Sequence, residues 1–121
     1  AYVEEARLTQ RGGLDAAARL LQLSDPPTAI IACNDVMALG AITAIQRHGL
    51  RPGQDVAIAG FDDIPAAMDA EPRLTTIRQP IYTIGRQLVD ILVPQMRGEP
   101  YDGVPHIIQP ELVIRDSSGK K

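Results

Sequence analysis

Ile30–Ile45 reads IIACNDVMALGAITAI, and Val56–Asp63 reads VAIAGFDD. In each stretch a nearly all-apolar run ends in a polar pair, Asn34-Asp35 in the first and Asp62-Asp63 in the second. Such runs are the pattern of strands in a parallel sheet covered on both faces. The first pair passes directly into a helical pattern, so strand, turn and helix follow without a gap. In open parallel sheets, ligands bind at the carboxyl ends of the strands. The two pairs therefore place an amide and carboxylates where a small polar ligand, a sugar or similar molecule, would sit.

Working outward, Leu14–Leu23 is rich in Ala and Leu and predicts a helix, preceded by Gly12-Gly13 and stopped by Ser24-Asp25-Pro26-Pro27. Thr28–Cys33 is the first strand. Asn34 or Asp35 can cap the helix Val36–His48, with Asp35 the better candidate, and Gly49 stops it. After a turn at Arg51–Gln54, Val56–Gly60 is the second strand. Phe61–Arg73 reads as a loop with a helical turn at Ala66–Ala70. Leu74–Ile77 is a third strand, and Pro80 opens a helix to Arg97 that Pro94 should kink or shorten. Gly98–Pro105 is a turn-rich link. His106–Arg115 holds strand pattern interrupted by Pro110, and Ser117–Lys121 reads as a frayed tail. This alternation predicts an α/β fold, a three-layer α/β/α arrangement on a mainly parallel sheet.

The bulk numbers exclude several classes. A chain of 121 residues has room for one core. The net charge is −3 and the only basic cluster is Lys120-Lys121, so the segment is not expected to grip nucleic acid itself. Aromatics are 3% of residues, which argues against base stacking. The single cysteine, Cys33, cannot form an internal disulfide and is expected to be a small buried hydrophobe. No apolar run approaches the roughly 18 residues that span a bilayer. Ala1 is not an initiator methionine, so the chain is expected to be part of something longer. No glycine-rich phosphate loop and no activated nucleophile is visible. His48 and His106 lack partners at ligand spacing. No catalysis, cofactor or metal is therefore expected, although Asp35, Asp62 and Asp63 could in principle do acid–base work.

The helix Val36–His48 is apolar almost all round. Met37, Ala41, Ala44, Ile45 and His48 form one stripe, while Val36, Leu39 and Ile42 fall outside it. Such a helix must be covered on more than one side. Either the core encloses it or a partner subunit does.

Four segments extend this reading. PTAIIACNDVMALGAI, GLRPGQDVAIAGFDD, LTTIRQP and PELVIRDSS occur in this order. Together they resemble the effector-binding domain of LacI/GalR-type bacterial transcription regulators over about Gly12 to Ser118. The resemblance implies a type I periplasmic-binding-protein-like fold, of which this chain would be the C-terminal part. A helix-turn-helix, most of a first lobe and the opening of the second would lie outside it. It implies that Asn34 and Asp62 contact the effector, with Asp35, Phe61 and Gln79 as further candidates. Residues 76–80 would cross the hinge, and the helix from Ile81 would belong to the other lobe. Its apolar residues Ile81, Ile84, Leu88, Leu92 and Met96 would then have no native partner within this chain, and are expected to pack on another copy or on exposed sheet. Val36, Leu39, Ile42, Ala66 and Ala70 would form a homodimer interface. The implied function is non-catalytic: a cytoplasmic regulator binding a carbohydrate or a nucleoside or purine, touching DNA only through the missing N-terminal domain. A periplasmic solute receptor of a sugar transporter is the alternative. LTTIRQP and ELVIRDS look more like the regulators.

Overall fold

The computed structural model describes residues 2–101 and 103–119, so Lys120 and Lys121 of the expected tail lie outside the described residues. The chain divides into two compact units, Ala1–Arg78 with Leu112–Lys121, and Gln79–Glu111.

In the first unit, α1 spans Gln10–Leu21 and α2 spans Asp35–Arg47. The sequence placed the start of α1 four residues late. Thr9 caps it, its hydroxyl accepting from the Gly12 N–H at 3.0 Å. Gly12 and Gly13 lie inside the helix; Gly12 makes room for the Arg7 backbone, and Gly13 lies where α1 and α2 nearly touch. A Cβ on Gly13 would sit 2.1 Å from the Met37 carbonyl oxygen, and one on Gly40 would sit 2.0 Å from that of Gln10. Gly13, expected to precede the helix, is thus a contact surface within it, and Ala16, Ala17 and Ala41 continue the small-residue seam.

Strand β1 (Ala29–Ile31) runs parallel to β2 (Ala57–Ala59), pairing Ile30 with Ile58. Beyond β2, the parallel bridges Ala59↔Thr75 and Asp62↔Arg78 bring β3 (Thr76–Arg78) alongside, and β4 (Glu111–Val113) pairs with β3. Ile58, Ile42, Ile45, Val56, Ala38 and Leu74 form the centre of the core. Ile42 is 4% exposed, which corrects its assignment to an outer dimerising face. The reading of β1 as covered on both faces is also corrected. Strand alternation turns Ile30 toward the core and Ile31 the other way, where it is 86% exposed. Cys33, two positions further, is exposed rather than buried.

The short helix α3 spans Pro65–Asp69, with proline in its first turn, where a missing N–H does no harm. The expected frayed tail begins instead with a 3₁₀ turn, Asp116–Ser118, whose Ser117 is fully buried. The Ser117 hydroxyl inserts between β2 and β3, accepting from the Thr75 N–H at 2.8 Å and donating to the Ile58 carbonyl at 2.7 Å.

The second unit is built on α4, Ile81–Met96. The helix runs two residues past Pro94 before ending. Its Ile84, Gln87 and Ile91 border a cavity of about 240 Å³ shared with Tyr101, His106 and Ile108. None of its side chains is fully buried, and Ile81, Leu88, Leu92 and Met96 are exposed. Of the strand pattern in His106–Arg115, only the residues after Pro110 form a strand.

Candidate functional site at the carboxyl ends of the parallel strands

Because β1, β2 and β3 run parallel, the residues that follow them lie at one end of the sheet. After β1, Asn34 has extended backbone and caps α2, its Oδ1 accepting from the Met37 N–H at 2.8 Å. Asn34, not Asp35, is therefore the cap. The bond assigns the oxygen to the helix and leaves the amide NH₂ as the group a ligand can use.

Asp35 has a structural task. It is fully buried, its Oδ1 accepts from the Thr76 hydroxyl at 2.5 Å, and its Oδ2 accepts from the Ile64 N–H at 2.9 Å. Its own N–H donates to the Phe61 carbonyl at 2.8 Å. One side chain thus ties the exits of β1 and β2 to β3. With both oxygens engaged and no exposed surface, Asp35 is not available to a ligand in this structure. Gly60 is required beside it, since a Cβ there would stand 2.3 Å from Asp35 Oδ1.

After β2 the chain makes an uncommon turn. Asp62 has φ 121° and Asp63 φ 56°, both in the region that favours glycine. Phe61 is half-buried and Asp62 exposed. The Asp62 N–H donates to the Ile77 carbonyl at 2.9 Å. Asp63 turns inward, where its Oδ1 accepts from Arg115 Nη2 at 2.5 Å and its Oδ2 from Arg78 Nε at 2.6 Å. Burial alone would raise the Asp63 carboxyl, but the hydrogen bonds from Arg115 and Arg78 outweigh it and hold it below the ordinary range. Arg115, 9% exposed, also donates from Nη1 to the Leu74 carbonyl at 2.8 Å.

Asn34 and Asp62 therefore share one end of the first unit, with Phe61 between Asp62 and the buried Asp35. Gln79 is half-buried and opens the second unit. An amide donor and a carboxylate acceptor on neighbouring strand ends suit the hydroxyls or ring nitrogens of a small polar molecule. Among the described residues, no group of three His, Cys, Asp or Glu side chains could hold a metal ion. Sequence reading missed Thr76 and Arg78, because their partners lie 41 and 15 positions away. Arg115, at the end of the expected strand pattern, finds its partner Asp63 52 positions away.

Of the proposed dimer residues besides Ile42, Val36 and Ala66 are exposed, and Leu39 and Ala70 are half-buried. Met68, not singled out from the sequence, is exposed as well. A larger groove of about 750 Å³ lies at the other end of β2, bordered by Gln46, Arg51, Gly53, Glu71 and Asp116. Its charged groups largely neutralise one another. Arg51 hydrogen-bonds Asp55 and holds that carboxyl at about 2, and Arg73 pairs with Asp116 at 2.7 Å.

Comparison with known proteins places this architecture. Residues 1–118 match the family model described as a periplasmic binding protein-like domain. The HTH-type transcriptional repressor CytR of Escherichia coli strain K12 is 40% identical over 117 residues, covering 97% of this chain and 34% of the repressor. A crystal structure of the lac repressor dimer bound to operator and the anti-inducer ONPF superposes with a TM-score of 0.87 at 33% identity, over 96% of this chain and 35% of that one. A LacI family regulator from Arthrobacter sp. FB24, in complex with lactose, gives a TM-score of 0.81 at 31% identity, over 93% of this chain and 42% of that one. The chain belongs to the periplasmic binding protein-like domain family, in its LacI-type branch, as a partial domain. It spans about a third of the length of the curated repressors it matches. Those relatives are repressors, not enzymes.

Proposed function

We propose that this chain is the effector-binding and dimerisation portion of a LacI-type bacterial transcriptional regulator. It binds a small polar ligand, a carbohydrate or a nucleoside or purine, and DNA is contacted by a helix-turn-helix outside these residues. The protein works in the cytoplasm as a homodimer. The observation that carries the reading is the pairing of Asn34 and the exposed Asp62 at adjacent carboxyl ends of parallel strands, in a chain similar to repressors. The lactose complex of the Arthrobacter regulator supports a carbohydrate. The operator-bound dimer of the lac repressor supports the DNA and dimer parts.

In this reading residues 76–80 form part of a hinge and α4 belongs to the other lobe. The exposed apolar Val36 and Met68, with Leu39, Ala66 and Ala70, face the partner subunit. Ligand acts by preferring one arrangement of the lobes, which changes the spacing of the DNA-binding heads. A ligand with equal affinity for both arrangements would transmit nothing.

The test uses the intact protein. Calorimetry against galactose, lactose, ribose, cytidine and hypoxanthine should find a binder. Asp62→Ala should weaken that binder by about 1–3 kcal/mol, roughly 5- to 150-fold, through loss of charge-assisted hydrogen bonds. Operator affinity should change when the binder is added. An intact Asp62→Ala protein with normal affinity removes Asp62 from the site. A ligand-binding monomer without DNA affinity would favour a solute receptor.

A further inference from the structure

The backbone of Asp62 is the least ordinary feature of the first unit. A residue with a Cβ at φ 121° is sterically opposed, and such a conformation persists only where its surroundings over-determine it. In the reading above, the side chain of Asp62 contacts the ligand. The constraint therefore sits at the atom group that matters.

The restraints can be traced. The Asp62 N–H is held by the Ile77 carbonyl. The next residue is held more firmly. The Asp63 N–H reaches the Thr76 hydroxyl at 3.4 Å, and its carboxylate lies between Arg78 and Arg115. Arg115 is in turn fixed from behind. Nη1 donates to the Leu74 carbonyl, and its backbone N–H donates to the Thr75 hydroxyl at 2.8 Å. The guanidinium thus spans from the backbone of the segment leading into β3 to the ligand turn, using two nitrogens of one rigid plane. The Arg78 side chain is 48% exposed, against 9% for that of Arg115.

We propose that Arg115 is a positioning residue for the ligand: by bonding Asp63 and the Leu74 carbonyl at once, it keeps Asp62 in its opposed conformation with the carboxylate presented at the strand ends. This rests on the assignment of Asp62 as a ligand contact. Lysine cannot replace it, because a single ammonium on a flexible stem does not reproduce two bonds in a fixed plane. Without the anchor, residue 62 relaxes to an ordinary φ and its carboxylate turns away.

A double-mutant cycle on the intact protein tests this, using ribose, galactose and cytidine as probes and thermal unfolding as a parallel readout. Arg115→Lys is expected to weaken the bound probe about tenfold, and in an Asp62→Ala background to change its affinity less than about twofold while still lowering the melting temperature. That pattern is what a residue acting through Asp62 produces. If Arg115→Lys lowers the melting temperature but leaves probe affinity unchanged, or if the two losses simply multiply, Arg115 is only structural and the proposal fails while Asp62 keeps its role. If Asp62→Ala alone leaves every affinity unchanged, Asp62 is not a ligand contact and the positioning role fails with that assignment. Should Arg115→Lys not fold, Asp63→Asn, which keeps the shape and removes the charge, takes its place with the same expected pattern.

Discussion

Gly60 and Asp35 are matched to one another: a Cβ on residue 60 would stand 2.3 Å from the Asp35 Oδ1, which is itself occupied by the Thr76 hydroxyl. Gly60→Ala must push the carboxylate off its partners. Overpacking alone costs about 1–3 kcal/mol, and loosening the buried bonds adds to it. Urea denaturation should show a lower midpoint, with the Asp62-Asp63 turn disturbed as well. A variant of wild-type stability would mean that the strand exits can shift apart freely.

Gly13→Ala sets two effects against each other. In an exposed helix interior, alanine is better than glycine by roughly 1 kcal/mol. Here the new methyl would meet the Met37 carbonyl oxygen at 2.1 Å, with backbone on both sides of the contact. Backbone cannot rotate out of the way as a side chain can, so the variant should be less stable than wild type. A rise in melting temperature would show that α1 and α2 are not in register as described.

Ser117→Ala removes the hydroxyl that joins Thr75 N–H to the Ile58 carbonyl. An unpaired buried group of this kind costs about 1–3 kcal/mol. The loss should be local as well as global. Amide hydrogen exchange at Thr75 should accelerate beyond what the drop in overall stability explains. Unchanged protection at Thr75 would show that the strands close directly onto each other.

The Asp63 ion pairs give a pH dependence of defined sign. The folded carboxyl is held below its ordinary value of 3.8, so the folded state binds this proton more weakly than the unfolded chain. The contribution is complete above 3.8 and is lost as pH falls below that toward the lowered folded value. Asp63→Asn should therefore destabilise most near neutral pH. The gap to wild type, measured by urea unfolding at about pH 6 and about pH 3, should shrink at the lower pH. A gap that stays constant would mean that charge is not what holds the turn.

Much of this arrangement was legible before any coordinates. The apolar runs around Ile30 and Ile58 contain the strands, which stop one or two residues short of them, and the polar pairs after them fall at one end of the sheet. What stayed hidden depends on distant partners. Nothing local says that Asn34 caps α2 while Asp35 is buried, because Asp35 owes its position to Thr76 and Ile64. Gly12-Gly13 looked as if they preceded the helix, since helix propensity is local and the approach of α2 to Gly13 is not. Ser117 looked like a tail residue because polar termini fray unless tied down, and its ties are to Ile58 and Thr75. Ile42 looked peripheral because a helical stripe drawn from one face takes no account of Val56 and Leu74 on another.

Asp63 leaves one more consequence. The polypeptide departs from the first unit directly after Arg78 and returns to it at Leu112, three residues before Arg115. Both arginines hold the same carboxylate. The outgoing and the returning segment are therefore moored at a single post, and that post is the neighbour of the exposed Asp62. A tug on the turn is felt by the two segments together rather than by one after the other. Freeing either arginine would leave this carboxylate holding one of the two segments where it now holds both.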